Sequence, residues 1–193
     1  MDDGREVGRV AGSDGTELNV HRWRGKVDEP PFLLVHGLAS NLRMWDGVAR
    51  RLSAAGHPVA SVDQRGHGRS DKPDEGYDFA TVSGDLAAVI VALGYDRPIV
   101  VGQSWGGNVV VELAAGHLVP LRGAACVDGG WIDLSGFESW DDCERAMAPP
   151  RTAGLPADDL EAMMRGRNSG WPEEGIQGAL ACFEVRADGT IAP

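Results

Sequence analysis

The sequence predicts a mostly parallel, doubly wound α/β sheet preceded by an antiparallel hairpin. Three observations predict it. Short apolar runs alternate with amphipathic helical segments between residues 31 and 130, the pattern of right-handed βαβ units. One strand-to-helix junction, "VVGQSWGGNVVVELA" (100–114), sets a serine between glycines. After residue 134 the alternation gives way to short helical segments with Pro- and Gly-containing loops, which reads as a helical insertion.

The elements follow in order. Residues 4–24 alternate apolar and polar around "SDGTE", so they predict a hairpin turning at Asp14-Gly15. "PFLLVHG" (31–37) is a continuous apolar run, as a strand covered on both faces would be. In "NLRMWDGVARRLSAAG", Leu42, Trp45, Val48, Ala49 and Leu52 recur at helical spacing, and Gly56 stops the helix. "PVASVD" (58–63) is the next strand. Val82, Leu86, Val89, Ile90 and Leu93 form one helix face, ended by Gly94. "PIVVGQS" is a third parallel-type strand, the helix after Ser104 runs to about His117, and "LRGAACVDGG" (121–130) is a fourth. "FESWDDCERAMA", "ADDLEAMMRGR" and "EEGIQGALACF" read as short helices, and "FEVRADGTIAP" as a short hairpin.

Composition narrows the function. The 193 residues are 42% hydrophobic, enough for one sizeable core. The net charge of −11 repels phosphate backbones and argues against nucleic acid as a partner. The sequence holds no apolar run of the roughly 18 residues a membrane span needs. "MDDGREVGRV" is acidic and lacks the apolar stretch of a signal peptide. Cys126, Cys143 and Cys182 are odd in number and widely spaced. They read as reduced, packed thiols, which fits a cytoplasmic protein. No His/Cys/Asp cluster has metal-ligand spacing, so no metal or organic cofactor is suggested.

Parallel sheets carry their chemistry beyond the carboxyl ends of the strands, here after residues 36, 63, 103 and 127. Gly102-Gln103-Ser104-Trp105-Gly106 fits G-x-S-x-G. Turning from strand to helix around one residue strains its backbone, and neighbours without Cβ atoms remove the clashes. Gly107 would let the helix approach the sheet. Ser104 then stands exposed at a helix N-terminus, where free N–H groups favour developing negative charge. "LLVHGLASN" (33–41) offers a second backbone donor: the N–H of Leu38, with that of Trp105, could hold an oxyanion. His36 reads as a loop brace, with a place in the substrate pocket as the alternative. Asp63, Arg65 and Asp71 could form one bracing network over the strand ends. Asp128 closes a strand in "CVDGG" and is either a turn residue or a catalytic acid. Trp131, Phe137 and Trp140 could line an apolar pocket or pack the insertion on the core.

The segments "HGLASNLRMWD", "DQRGHGRSDKP", "GQSWGG" and "CVDGGWIDL" resemble the α/β-hydrolase fold family in order and spacing, over essentially the whole chain. The resemblance implies an eight-stranded sheet, a helical cap after the sixth strand and a Ser–acid–His triad. Ser104 matches the nucleophile, and Leu38 and Trp105 match the oxyanion positions. In some relatives the triad acid stands where Asp128 does. Serine at the elbow, rather than aspartate, points to acyl-transfer hydrolysis of a small, apolar ester or related carbonyl compound.

The family's histidine follows the acid, and this sequence offers none there. The five histidines are His21, His36, His57, His67 and His117. His117 alone follows Ser104, about 20 Å down the helix by its rise per residue. The expectation is a C-terminally incomplete hydrolase: residues 1–134 the N-terminal part of the core, 135–193 a partial helical cap, and roughly 80–100 further residues for the last strands. Two alternatives accompany it: a non-catalytic small-molecule binder on the same fold, and complementation by a separate C-terminal chain.

Overall fold

A computed structural model describes residues 4–131, 133–148 and 152–192. Ile132 of the "CVDGGWIDL" segment and Pro193 at the end of the second hairpin lie outside them. The first two strands, β1 (Arg5–Ala11) and β2 (Glu17–Trp23), form the predicted hairpin. Its turn closes through Gly12 N–H to the Thr16 carbonyl (2.8 Å), with Gly15 at φ +91°. Strands β3 (Phe32–Val35), β4 (Val59–Val62), β5 (Ile99–Gln103) and β6 (Gly123–Val127) complete one sheet in the order β1-β2-β4-β3-β5-β6. β2 meets β4 antiparallel, and all pairs from β4 to β6 are parallel.

Helices cover both faces, as the apolar strands require. Leu33, Val35, Ala60 and Val62 pack on one face beneath α2 (Phe79–Ala92) and α3 (Trp105–Ala115), against Leu86, Val89, Val109 and Leu113. Leu34 and Val59 point the other way, toward Trp45 and Ala49 at α1 (Asp46–Ala54). The alternation along β3 and β4 thus feeds two cores, each side chain buried to within a few per cent. α2 begins where the Asp78 carboxylate accepts from the Thr81 N–H (2.9 Å), and Gly94 ends it at φ +66°.

The helix predicted over residues 42–52 differs at its start. Leu42–Trp45 is a 3₁₀ turn, and only Asp46–Ala54 is α-helical. Asn41 accepts from Arg43 N–H (2.9 Å), which closes a tight turn first. Val48, counted on the apolar face, is 42% exposed.

α4 (Trp140–Met147), α5 (Ala157–Arg167), α6 (Glu173–Leu180) and a small hairpin of β7 (Glu184–Val185) and β8 (Ile191–Ala192) follow β6. α6 lies against α1, where Glu174 accepts from Arg50 (2.8 Å) and Arg51 (3.1 Å). Asn41 donates to the Cys182 carbonyl (3.0 Å), fastening this region to the loop after β3. β6 pairs with β5 alone among the described strands, and its Ala124, Ala125 and Val127 are exposed. No helix among the described residues is long and apolar enough to cross a membrane.

Candidate active site

Ser104 sits between the last residue of β5 and the first of α3, at φ +51°, ψ −122°. A side chain other than glycine is strained there, and the surroundings hold it. Its N–H donates to the Val127 carbonyl (2.9 Å) and its carbonyl accepts from Gly107 N–H (2.9 Å). The close approaches explain the glycines. A Cβ on Gly102 would overlap the Gly106 carbonyl, and one on Gly106 would overlap the His36 carbonyl. A Cβ on Gly107 would stand 2.6 Å from Gly130 N. The helix therefore approaches the sheet through Gly106, while Gly107 makes room for the loop after β6. That reassigns the role expected of Gly107.

The loop after β3 lies against this turn: a Cβ on Gly37 would stand 3.0 Å from the Ser104 Cβ. The N–H groups of Leu38 and Trp105 have no hydrogen-bond partner among the described residues. Trp105 stacks on Phe79 with ring centroids 4.4 Å apart, which fixes the start of α3 against α2. Two free backbone donors beside a hydroxyl at a helix N-terminus suit an oxyanion. Phe79 did not stand out in the sequence as part of the site, since its role depends on a partner far along the chain.

His36 has no exposed surface. Gln64 N–H donates to its Nε2 (3.1 Å), so Nδ1 carries the proton and donates to the Gly37 carbonyl (2.7 Å). The Gln64 side chain also donates to the His36 carbonyl (2.6 Å). Burial lowers the His36 pKa to about 4, so the ring is neutral. These bonds make His36 a brace of the Leu38 loop, and its ring presents no surface to a pocket in this structure.

Asp128 follows β6 directly, at φ +50° and exposed, one residue from the carbonyl that binds Ser104 N–H. A Cβ on its neighbour Gly129 would overlap the Ser104 backbone, and Gly130 N–H donates to Asn108 Oδ1 (3.1 Å). The loop carrying Asp128 is thus packed onto the serine turn. Trp131 and Trp140 are each 73% exposed and do not line the cavity between the β1–β2 hairpin and the α5–β7 region.

The expected single network of Asp63, Arg65 and Asp71 is three separate braces. Asp63 accepts from Leu42 N–H (2.8 Å), Asn19 Nδ2 (2.8 Å) and Arg69 N–H (2.9 Å). Arg65, fully buried, donates to both Asp85 oxygens (2.7 and 2.8 Å) and to Asp14 (2.9 Å). Those bonds hold the Asp14 carboxyl well below the usual carboxylate range. Asp71 accepts from Arg9 (2.5 Å) and Glu17 N–H (3.2 Å).

No histidine bonds Ser104 among the described residues. His67 bonds the Arg65 carbonyl (3.0 Å). His57 bonds the Pro30 carbonyl (3.0 Å) at the opposite end of the sheet. His21 stands on β2 opposite Ser61, and His117 lies beyond α3. No three His, Cys, Asp or Glu side chains are grouped to hold a metal ion among the described residues.

Residues 30–151 match the model of the alpha/beta hydrolase fold. The chain is 36% identical over 188 residues to a 2-(acetamidomethylene)succinate hydrolase of Mesorhizobium japonicum, covering 97% of this chain and 63% of the relative. It is 36% identical over 109 residues to a non-heme chloroperoxidase of Streptomyces lividans, covering 56% of this chain and 39% of the relative. The crystal structure of an E-2-(acetamidomethylene)succinate hydrolase superposes with a TM-score of 0.76 at 28% identity, over 98% of this chain and 68% of that one. The chain thus spans less than two thirds of the length of these curated relatives. With its strand order, its serine turn and its match to the family model, the chain belongs to the α/β-hydrolase fold family.

Proposed function

We propose that this chain supplies the nucleophile and oxyanion hole of a serine hydrolase acting on a small ester or related acyl compound. The observation that carries this reading is the strained Ser104 turn beside the unpartnered N–H groups of Leu38 and Trp105. Ser104 Oγ attacks the acyl carbonyl carbon and gives its proton to a base. The carbonyl oxygen becomes an oxyanion held by the two N–H groups. The carbonyl re-forms as the alcohol or amine leaves with that proton, and water then cleaves the acyl-enzyme. The hydrolase relative that matches along 97% of this chain supports a hydrolytic reaction.

The base comes from outside residues 1–193 in this reading, on the same polypeptide or a complementing one. Asp128 is the acid that would orient it, and residues 135–193 form part of a cap over the site. The free thiols of Cys126, Cys143 and Cys182 support a reducing, cytoplasmic setting.

Added imidazole stands in for the base in the test. The 193-residue chain and its Ser104→Ala variant are compared for p-nitrophenyl acetate hydrolysis across imidazole concentrations. The expected result is an imidazole-dependent rate above that of Ser104→Ala, with acetyl transiently on Ser104 by mass spectrometry. Identical rates at every concentration would overturn the reading and leave a non-catalytic binder.

A further inference from the structure

A cavity of about 1180 Å³ opens between the β1–β2 hairpin, the loop after β4 and the α5–β7 region. Ser104, Leu38 and Trp105 are absent from its walls. Its charge runs against that of the chain. Arg5, Arg43, Arg69, Lys72 and Arg167 line it, in a protein of net charge −11.

Arg43, Arg69, Lys72 and Arg167 find few carboxylates among the described residues. Arg43 pairs with Asp46 at 2.6 Å, a carboxylate that Arg5 also reaches at 3.4 Å. Lys72 donates to the neutral carbonyls of Gly68 (2.9 Å) and Ser70 (3.4 Å). The Arg69 and Arg167 side chains make no ion pair or hydrogen bond among the described residues. Of the two lining carboxylates among the described residues, Asp63 is already turned to three donors, and Glu184 lies on exposed β7. The wall also holds His21, 5% exposed, whose buried Nδ1 lacks a partner among the described residues. Buried polar atoms are satisfied in the great majority of cases, by protein, water or ligand.

We propose that this cavity binds a small molecule carrying two or more oxyanion groups, carboxylate or phosphate. Guanidinium forks match both groups, and several cations converging on one concavity favour a multiply charged ligand. The volume exceeds what a single inorganic ion fills and suits a metabolite-sized molecule. None of Ser104, Leu38, Trp105 and Asp128 lines the cavity, so the inference does not rest on the acyl-transfer reading.

Calorimetric titration of the 193-residue chain with citrate and with pyrophosphate tests it. At least one probe is expected to bind with Kd below about 1 mM at about 50 mM NaCl, and to weaken as salt screens the cations. Preference for citrate assigns a carboxylate ligand, and preference for pyrophosphate a phosphate one. Arg69→Ala and Arg167→Ala each should weaken binding about tenfold. Both side chains are exposed, so circular dichroism should show unchanged folding. Arg122→Ala, an exposed cation outside the cavity, should bind as the parent does. The proposal fails if neither probe binds with a Kd below about 1 mM under these conditions. It also fails if the cavity variants bind like the parent, or if Arg122→Ala weakens binding equally.

Discussion

The Ser104 N–H donates to the Val127 carbonyl at 2.9 Å, which ties the strained turn after β5 to the last residue of β6. Asp128 comes next in the chain. Replacing it by Asn keeps its shape, and Asn tolerates positive φ. Stability should change by no more than about 0.5 kcal/mol. The Ser104-dependent, imidazole-stimulated rate should fall about tenfold or more if Asp128 orients the base. A rate equal to the parent's would make Asp128 a turn residue only.

Gly106→Ala would drive a methyl group into the His36 carbonyl at the end of β3. Backbone cannot yield there as a flexible side chain would. The variant should lose about 2 kcal/mol or more of stability, read from the urea midpoint. It should also lose the Ser104-dependent rate, because the displaced loop carries Leu38. A midpoint within error of the parent would show that α3 can shift freely.

Asp85→Asn breaks a buried pair and leaves the Arg65 guanidinium, which has no exposed surface, with one full charge partner at Asp14. Removing one partner of a buried pair typically costs about 3–5 kcal/mol. The variant should unfold at much lower urea, or not accumulate as folded protein. Asp71→Asn is the contrast, since its pair with Arg9 is exposed on both sides. It should cost no more than about 1 kcal/mol.

His21 and His36 are both held neutral by burial, with pKa values lowered to about 4 from 6.5. Unfolding returns them to the ordinary value. Between about pH 6.5 and pH 4 the unfolded chain therefore binds protons that the folded chain does not. The stability these residues contribute is complete above the unfolded value and is lost as pH falls through that window. Each histidine should add a slope approaching about 1.4 kcal/mol per pH unit. Urea midpoints at pH 7, 6 and 5 should decline, and His21→Gln should flatten the decline. A midpoint constant over this range would contradict the assignment of buried neutral rings.

The sequence by itself determined the order of strands and helices, the hairpin at Asp14-Gly15 and the serine turn. These are legible because their causes are local. Strand runs, helix faces and stop residues act over a few neighbours, and a glycine on either side of Ser104 is a demand of one turn. Tertiary structure alone decided the rest. Arg65 takes Asp85 rather than Asp63 or Asp71, because α2 brings Asp85 beneath the loop after β4. Gln64 locks His36 from 28 residues away, which turns a candidate pocket residue into a brace. The exposure of Trp131 and Trp140, and the gathering of five cations around one cavity, likewise follow from which segments meet in space. Side-chain partners of buried charges depend on distance in the fold, where the low dielectric makes an unpaired group costly, and sequence separation carries no record of that distance.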